Sequence, residues 1–196
     1  AELRQQRLGE RLGVAARDGG EEEIFEHLVI RESLGPAGQD IARQALAFKA
    51  PGQHFTDAPV DPRGAADLVI GNNVLAHVPD INDFVAGITT LLGPEGVATL
   101  EFPHLLELVL KRQFDTVYHE HFSYLSLYSV ERILEAAGLR IHDVEQLVTH
   151  GGSLRVYASH QDDSRPRSAS VDALLSTEAQ AGLRDPATYR GFQAHA

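Results

Sequence analysis

Residues 118–121 read Tyr-His-Glu-His and stand inside "FDTVYHEHFSYLSL" (114–127), a stretch otherwise rich in aromatic and apolar residues. Three chemistries draw on such a set. A His-x-His pair can bind a metal, with Glu120 or His150 as a further ligand. A histidine titrates near neutrality and can act as a general base, with a carboxylate to orient its ring. The same residues can also form no more than a polar surface turn. In an extended segment alternate side chains share a face, which pairs Tyr118 with Glu120 and His119 with His121.

Other stretches hold polar groups where a ligand could meet them. "GNNVLAHVPD" (71–80) follows an apolar run, and open α/β sheets bind ligands beyond the carboxyl ends of their strands. Asn72 and Asn73 would serve there, or would merely satisfy turn backbone. "LEFPH" (100–104) sets Glu101 at the end of a second run, with Pro103 pulling the chain out of the sheet. "THGGSLRVY" (149–157) contains His150, Gly151, Gly152 and Ser153. Its glycines allow a ligand or another backbone to approach closely, and Arg155 is placed to meet a phosphate or carboxylate.

These groups need elements to hold them. "ADLVIGNN" (66–73) reads as a buried parallel strand. "DINDFVAGITTLL" (80–92) reads as an amphipathic helix capped by Asp80, stopped by "GPEG" and followed by a strand at 97–102. "SVERILEAAG" (129–138) predicts a helix capped by Ser129 and ended by Gly138. Residues 139–160 predict two strands around "THGG", with Leu154, Val156 and Ala158 facing inward. Before residue 66 the pattern is weaker: a thin helical stripe at 1–13, a strand or short helix in "IFEHLVI" (24–30), a helix within 35–48 and a loop at 50–64. The polar tail, opened by "DDSRPRS", shows no clear core stripe. The expected fold is α/β, a mostly parallel sheet with an antiparallel C-terminal hairpin. Its expected parts are 1–65, half of a core; 66–160, the core with the chemical segment; and 161–196, a helical linker.

Composition narrows the classes. The 196 residues are 43% hydrophobic and 23% charged, ordinary for a globular fold. A net charge of −11 argues against a nucleic-acid partner, which needs a basic face. With no cysteine, disulfides and thiolate zinc sites are excluded. No apolar run approaches the roughly 18 residues of a membrane span, and no signal-peptide pattern opens the chain, so the expectation is a cytoplasmic protein without a membrane partner. There is no methionine even at position 1, which suggests a piece of a longer protein.

"ADLVIGNNVLAHVPDINDF", "EFPHLLELVLKRQFDTVYHEHFSYLSL" and "THGGSLRVYA" occur in this order. Across about 66–190 the chain resembles the nucleotide-sugar C-methyltransferases, class I S-adenosylmethionine-dependent enzymes of deoxysugar biosynthesis. The resemblance implies a Rossmann-like core, S-adenosylmethionine as cofactor and no metal. It implies methylation at C-3 of a 4-keto deoxysugar nucleotide. His121 would be the base that forms an enolate, with Tyr118 and Glu120 beside it. Tyr118 would donate to the enolate oxygen, and Glu120 would orient the imidazole or hold a sugar hydroxyl. Asn72, Asn73, Phe102 and Pro103 would line the cofactor pocket, and His150, Gly151, Gly152 and Ser153 would approach the sugar nucleotide. Asp18 and Gly19 echo the family's cofactor loop, while Gly35 stands where the family has a ribose-binding acid. The family's cysteine-rich zinc module and further C-terminal domain have no counterpart here, so the core is expected to be incomplete at both ends. Two alternatives stay open: a non-catalytic remnant of such an enzyme, and a metal-dependent enzyme using His119, His121 and His150.

Overall fold

The apolar runs between residues 66 and 160 form the strands of one sheet in the computed structural model, which describes residues 27–31 and 66–190. The expected helices at 1–13 and 35–48 and the loop at 50–64 lie outside the described residues. Of "IFEHLVI", the described part is a strand, β1 (His27–Arg31). Then come β2 (Ala66–Asn72), α1 (Ile81–Leu91), β3 (Leu92–Pro103), α2 (Leu105–Lys111), a 3-10 turn (Phe114–Thr116) and α3 (Leu127–Ala136). β4 (Leu139–Leu147), a second 3-10 turn (Thr149–Gly151), β5 (Ser153–His160), α4 (Ala169–Gln180) and α5 (Pro186–Arg190) complete the order.

The sheet runs β1-β2-β3-β5-β4. Among the described strands only β2 and β3 are parallel; β1 against β2, β3 against β5 and β4 against β5 are antiparallel. The α/β class holds, but the described sheet is mixed rather than mostly parallel. The reason is that β5 inserts between β3 and β4, so the C-terminal hairpin contributes two antiparallel seams instead of one, and β1 against β2 adds a third.

Local chemistry explains the elements that carry the site. The Asp80 side chain accepts from the Asp83 N–H at 3.0 Å and starts α1, while Phe84, Val85 and Ile88 turn one face of that helix into the core. β3 begins at Leu92, earlier than the sequence pattern predicts, and takes "GPEG" into the strand with an irregularity opposite Ala66 and Leu68. Gly96 is needed there, because a Cβ would lie 2.6 Å from the Ala66 carbonyl oxygen. α3 starts two residues before the expected cap. Ser126 is the cap, and Ser129 is the third helical residue that closes a reciprocal pair with it.

Beyond the hairpin, the tail is more than a linker. Val171 and Leu174 of α4 join the same buried cluster as Leu134, Leu139 and Val156. The stripe at 171, 174, 175 and 178 has helical spacing, but its last member is a glutamate, buried to 2% exposure. "DDSRPRS" is strapped down as well. Arg140 donates to the carbonyls of Asp163 and Arg165, at 2.7 and 2.8 Å, and Arg167 pairs with Glu131 of α3 at 2.7 Å.

Candidate active site

Thr116 through Ser123 hang between α2 and α3 as an irregular excursion, and its geometry differs from the extended reading. Residues 118–120 form a turn, closed by the His121 N–H on the Tyr118 carbonyl at 3.1 Å. A turn brings residues three apart together, so the pair it makes is Tyr118 with His121, not Tyr118 with Glu120. The Tyr118 Oη lies 3.0 Å from His121 Nε2, and the two rings stack with centroids 4.2 Å apart.

The tautomer of His121 follows from its other contact. Nδ1 is 2.8 Å from the Thr116 carbonyl oxygen, which can only accept, so Nδ1 carries the proton. In the neutral ring Nε2 is then the lone-pair nitrogen, and the Tyr118 hydroxyl donates to it. The expectation that Glu120 orients the imidazole is corrected here: the orienting group is a backbone carbonyl, and Glu120 is exposed, as is His119.

The excursion is docked on the loop after β2. The N–H groups of Phe122 and Ser123 both donate to the Ala76 carbonyl, at 2.9 and 3.2 Å. The next residue, His77, is one that sequence reasoning passed over. It is 8% exposed, and its ring meets the His121 ring edge-on with centroids 4.5 Å apart. Burial lowers its pKa below the ordinary 6.5, outweighing the Glu120 carboxylate and the bond to the Glu120 backbone, which raise it. Burial thus disfavours the charged form of His77 beside the candidate base. The signal in the sequence was its place in the loop after a strand, in a stretch whose asparagines drew attention instead.

Asn73 occupies the left-handed region at φ 55°, and its N–H donates to the Glu101 carbonyl at 2.8 Å. Its Oδ1 is buried with no hydrogen-bond partner among the described residues, at the carboxyl edge of β2 beside the half-buried Asn72. A buried acceptor calls for a donor. The hydroxyls and ammonium of S-adenosylmethionine are donors, so these residues fit that group. Pro103 lines a small cleft together with Ala76, Thr116, His121, Ser123 and Tyr124. Phe102 does not face it; the ring is wholly buried in the core, because alternation along β3 turns it beneath the sheet edge. Asp18 and Gly19 lie outside the described residues.

The glycine turn at 149–152 is packed against the protein's own α2. Lys111 Nζ and Gln113 Nε2 both donate to the Gly151 carbonyl, at 2.8 and 2.9 Å. A Cβ on Gly152 would lie 2.6 Å from Glu107 Cγ. The buried Ser153 hydroxyl donates to the Thr149 carbonyl at 3.1 Å, and His150 is exposed in the left-handed region at φ 51°. The close approach read from the glycines is therefore filled by Gln113 and Glu107. Arg155 meets a carboxylate, as its type predicts, but it is that of the buried Glu101, at 2.8 Å. Among the described residues no group of three or more His, Asp or Glu side chains is arranged to hold a metal ion.

A family profile described as a methyltransferase domain matches residues 20–144, and one described as a C-methyltransferase C-terminal domain matches residues 148–196. The first match covers more than half of the sequence, and the chain belongs to the methyltransferase-domain family. It is 41% identical to the C-methyltransferase NovU of Streptomyces niveus over 129 residues, which cover 66% of this chain and 31% of NovU. The chain thus spans about a third of that relative's length. Among solved structures it resembles the magnesium protoporphyrin IX methyltransferase of Synechocystis, which has S-adenosylhomocysteine bound. That match has 18% identity and a TM-score of 0.41, over 55% of this chain and 49% of that one. It also resembles the mitomycin 7-O-methyltransferase MmcR at 17% identity and a TM-score of 0.42, over 56% of this chain and 33% of that one.

Proposed function

We propose that the chain transfers a methyl group from S-adenosylmethionine to a carbon beside a ketone, C-3 of a 4-keto deoxysugar nucleotide, with His121 as general base. The observation that carries this reading is the held tautomer: Nδ1–H on the Thr116 carbonyl and Nε2 against the Tyr118 hydroxyl. When bound, S-adenosylmethionine supplies an electrophilic methyl group on a sulfonium sulfur. Asn72 and Asn73 are the described residues that would hold it.

The chain's own work is the proton transfer. His121 Nε2 takes the proton of the carbon beside the ketone, and the electron pair of that C–H bond passes to the ketone oxygen as an enolate. The imidazolium keeps its Nδ1–H bond to Thr116, which strengthens as the ring becomes charged. For Nε2 to accept that proton its one lone pair must first be free, so the Tyr118 hydroxyl turns from Nε2 to the ketone oxygen as substrate binds and donates there as the enolate forms. Phe114, Val117 and Phe122, exposed on the same excursion, offer apolar surface that bound substrate would cover, excluding water.

The partner in this reading is a small nucleotide-sugar, handled in the cytoplasm, with neither nucleic acid nor membrane involved. Among the described residues no helix is long and apolar enough to cross a membrane. The test is His121→Ala against the parent chain, with methylation of a 4-keto sugar nucleotide as readout. The variant is expected to lose turnover by about 100-fold or more, and equal turnover would refute the assignment.

A further inference from the structure

Residues 104–127 leave the sheet at the end of β3 and return at the start of α3, carrying Tyr118 and His121 between. The two ends of this excursion touch. His104 and Leu125 form an isolated parallel bridge, and the Leu105 N–H donates to the Leu125 carbonyl at 2.9 Å. A single carboxylate from α4 reaches both ends. Glu178 Oε1 lies 2.8 Å from His104 Nε2 and 2.6 Å from the Leu127 N–H, and Oε2 accepts from the Tyr128 N–H at 3.0 Å.

Leu127 and Tyr128 are the first two helical residues of α3, and Ser126 satisfies the third N–H through Ser129. A carboxylate at this place meets orphan donors and the positive end of the helix dipole. At 2% exposure for Glu178 and 1% for His104, water does not substitute for either partner. His104 Nε2 must carry the proton to bond a carboxylate, and Nδ1 is buried without a partner among the described residues. An unmet buried polar atom is a cost, and the geometry accepts it to make this contact.

We infer that Glu178 is a positioning residue for the catalytic segment, fixing the entry and exit of the excursion so that the Tyr118–His121 pair is held in register. Leu125 is two residues from Ser123, whose N–H docks the turn on Ala76. A slip at Leu125 or Leu127 therefore passes directly into the backbone that places His121. The catalytic consequence rests on the proposed methyl transfer; the positioning does not.

Glu178→Gln tests it in the full chain. The amide nitrogen replaces an acceptor with a donor facing one of the three donors, and that bond is lost. The first readout needs no ligand: nitrogen-15 NMR of the histidine rings. The parent is expected to show His121 as the Nδ1–H tautomer, and the variant a mixture, with circular dichroism unchanged. The second readout is kinetic: kcat falls by about 10- to 100-fold while KM holds within about twofold. A His121 ring spectrum identical to the parent's in a folded Glu178→Gln chain overturns the inference. If that variant does not fold, His104→Leu, which removes one of the bonds, is read by the same spectrum, and an unchanged spectrum again overturns it. Collapse of both variants also overturns it, since Glu178 would then hold the whole core rather than the segment. Should the parent transfer no methyl group, the proposed reaction fails, and the ring spectra still decide the positioning.

Discussion

Tyr118→Phe is the sharpest perturbation of the proposed chemistry, because it removes one oxygen and leaves the ring. The phenyl ring can keep the 4.2 Å stack on His121, so packing is preserved while the hydroxyl 3.0 Å from Nε2 is lost. Two terms set the size of the effect. A donor aimed at a developing oxyanion stabilises the transition state by about 2.7–4 kcal/mol. Against this, the resting bond to Nε2 is given up before that nitrogen takes the proton, at a cost of about 1 kcal/mol. The net is about 2–3 kcal/mol, or a rate loss of about 30- to 150-fold. The interaction with the enolate exists only in the transition state, so kcat and kcat/KM should fall together. Steady-state methyl transfer measures this. Exchange of solvent deuterium into the carbon beside the ketone isolates the proton step and should slow by the same factor. A Tyr118→Phe chain within about threefold of the parent in both assays would refute the donor role.

Two further outcomes follow from the described geometry. His77 and His142 both titrate below the ordinary 6.5 in the folded chain; burial is the main cause for each, with Arg165 next for His142. Below pH 6.5 the unfolded chain therefore binds more protons than the folded one. Stability is full above that pH and is lost as the pH falls toward the folded-state values. Urea midpoints should drop on acidification through this window, and His77→Gln should flatten part of the drop; a midpoint independent of pH there would contradict the burial argument. Gly152→Ala places a Cβ 2.6 Å from Glu107 Cγ at a φ of 133°. It should lower the unfolding free energy by about 1–3 kcal/mol, read by denaturant unfolding; an unchanged midpoint would mean that α2 yields freely.

The residues show how far local pattern reaches. Asp80 and the apolar positions after it foretold α1, and the alternation Leu154, Val156, Ala158 foretold β5. Both are decided by neighbours along the chain and by a face that must be buried. The cap of α3 was misplaced because Ser126 and Ser129 are both good caps, and the choice fell to the one whose helix also receives Glu178. α4 lacked a readable stripe because a buried glutamate completes it, and no hydrophobic pattern announces a charge that burial tolerates. At the site, Tyr118 and His121 were legible as types, whereas their pairing was not. An extended segment and a turn share a composition but put different residues side by side.

The sequence by itself determined the chemical inventory: a tyrosine, a glutamate and two histidines in a segment flanked by apolar residues, after a strand-helix-strand unit ending in polar loops. Those depend on residue identity and local period alone. Only the tertiary structure decided that Thr116 fixes the tautomer of His121 and that the buried His77 lies against its ring. It also decided that Glu101 takes Arg155, that α2 fills the space beside Gly152, and that Glu178 bonds both ends of the excursion that carries Tyr118 and His121. Each is a contact between segments brought together by burial of a shared core. Its partners are chosen by which donors and acceptors are left without water, a question posed only once the chain has folded.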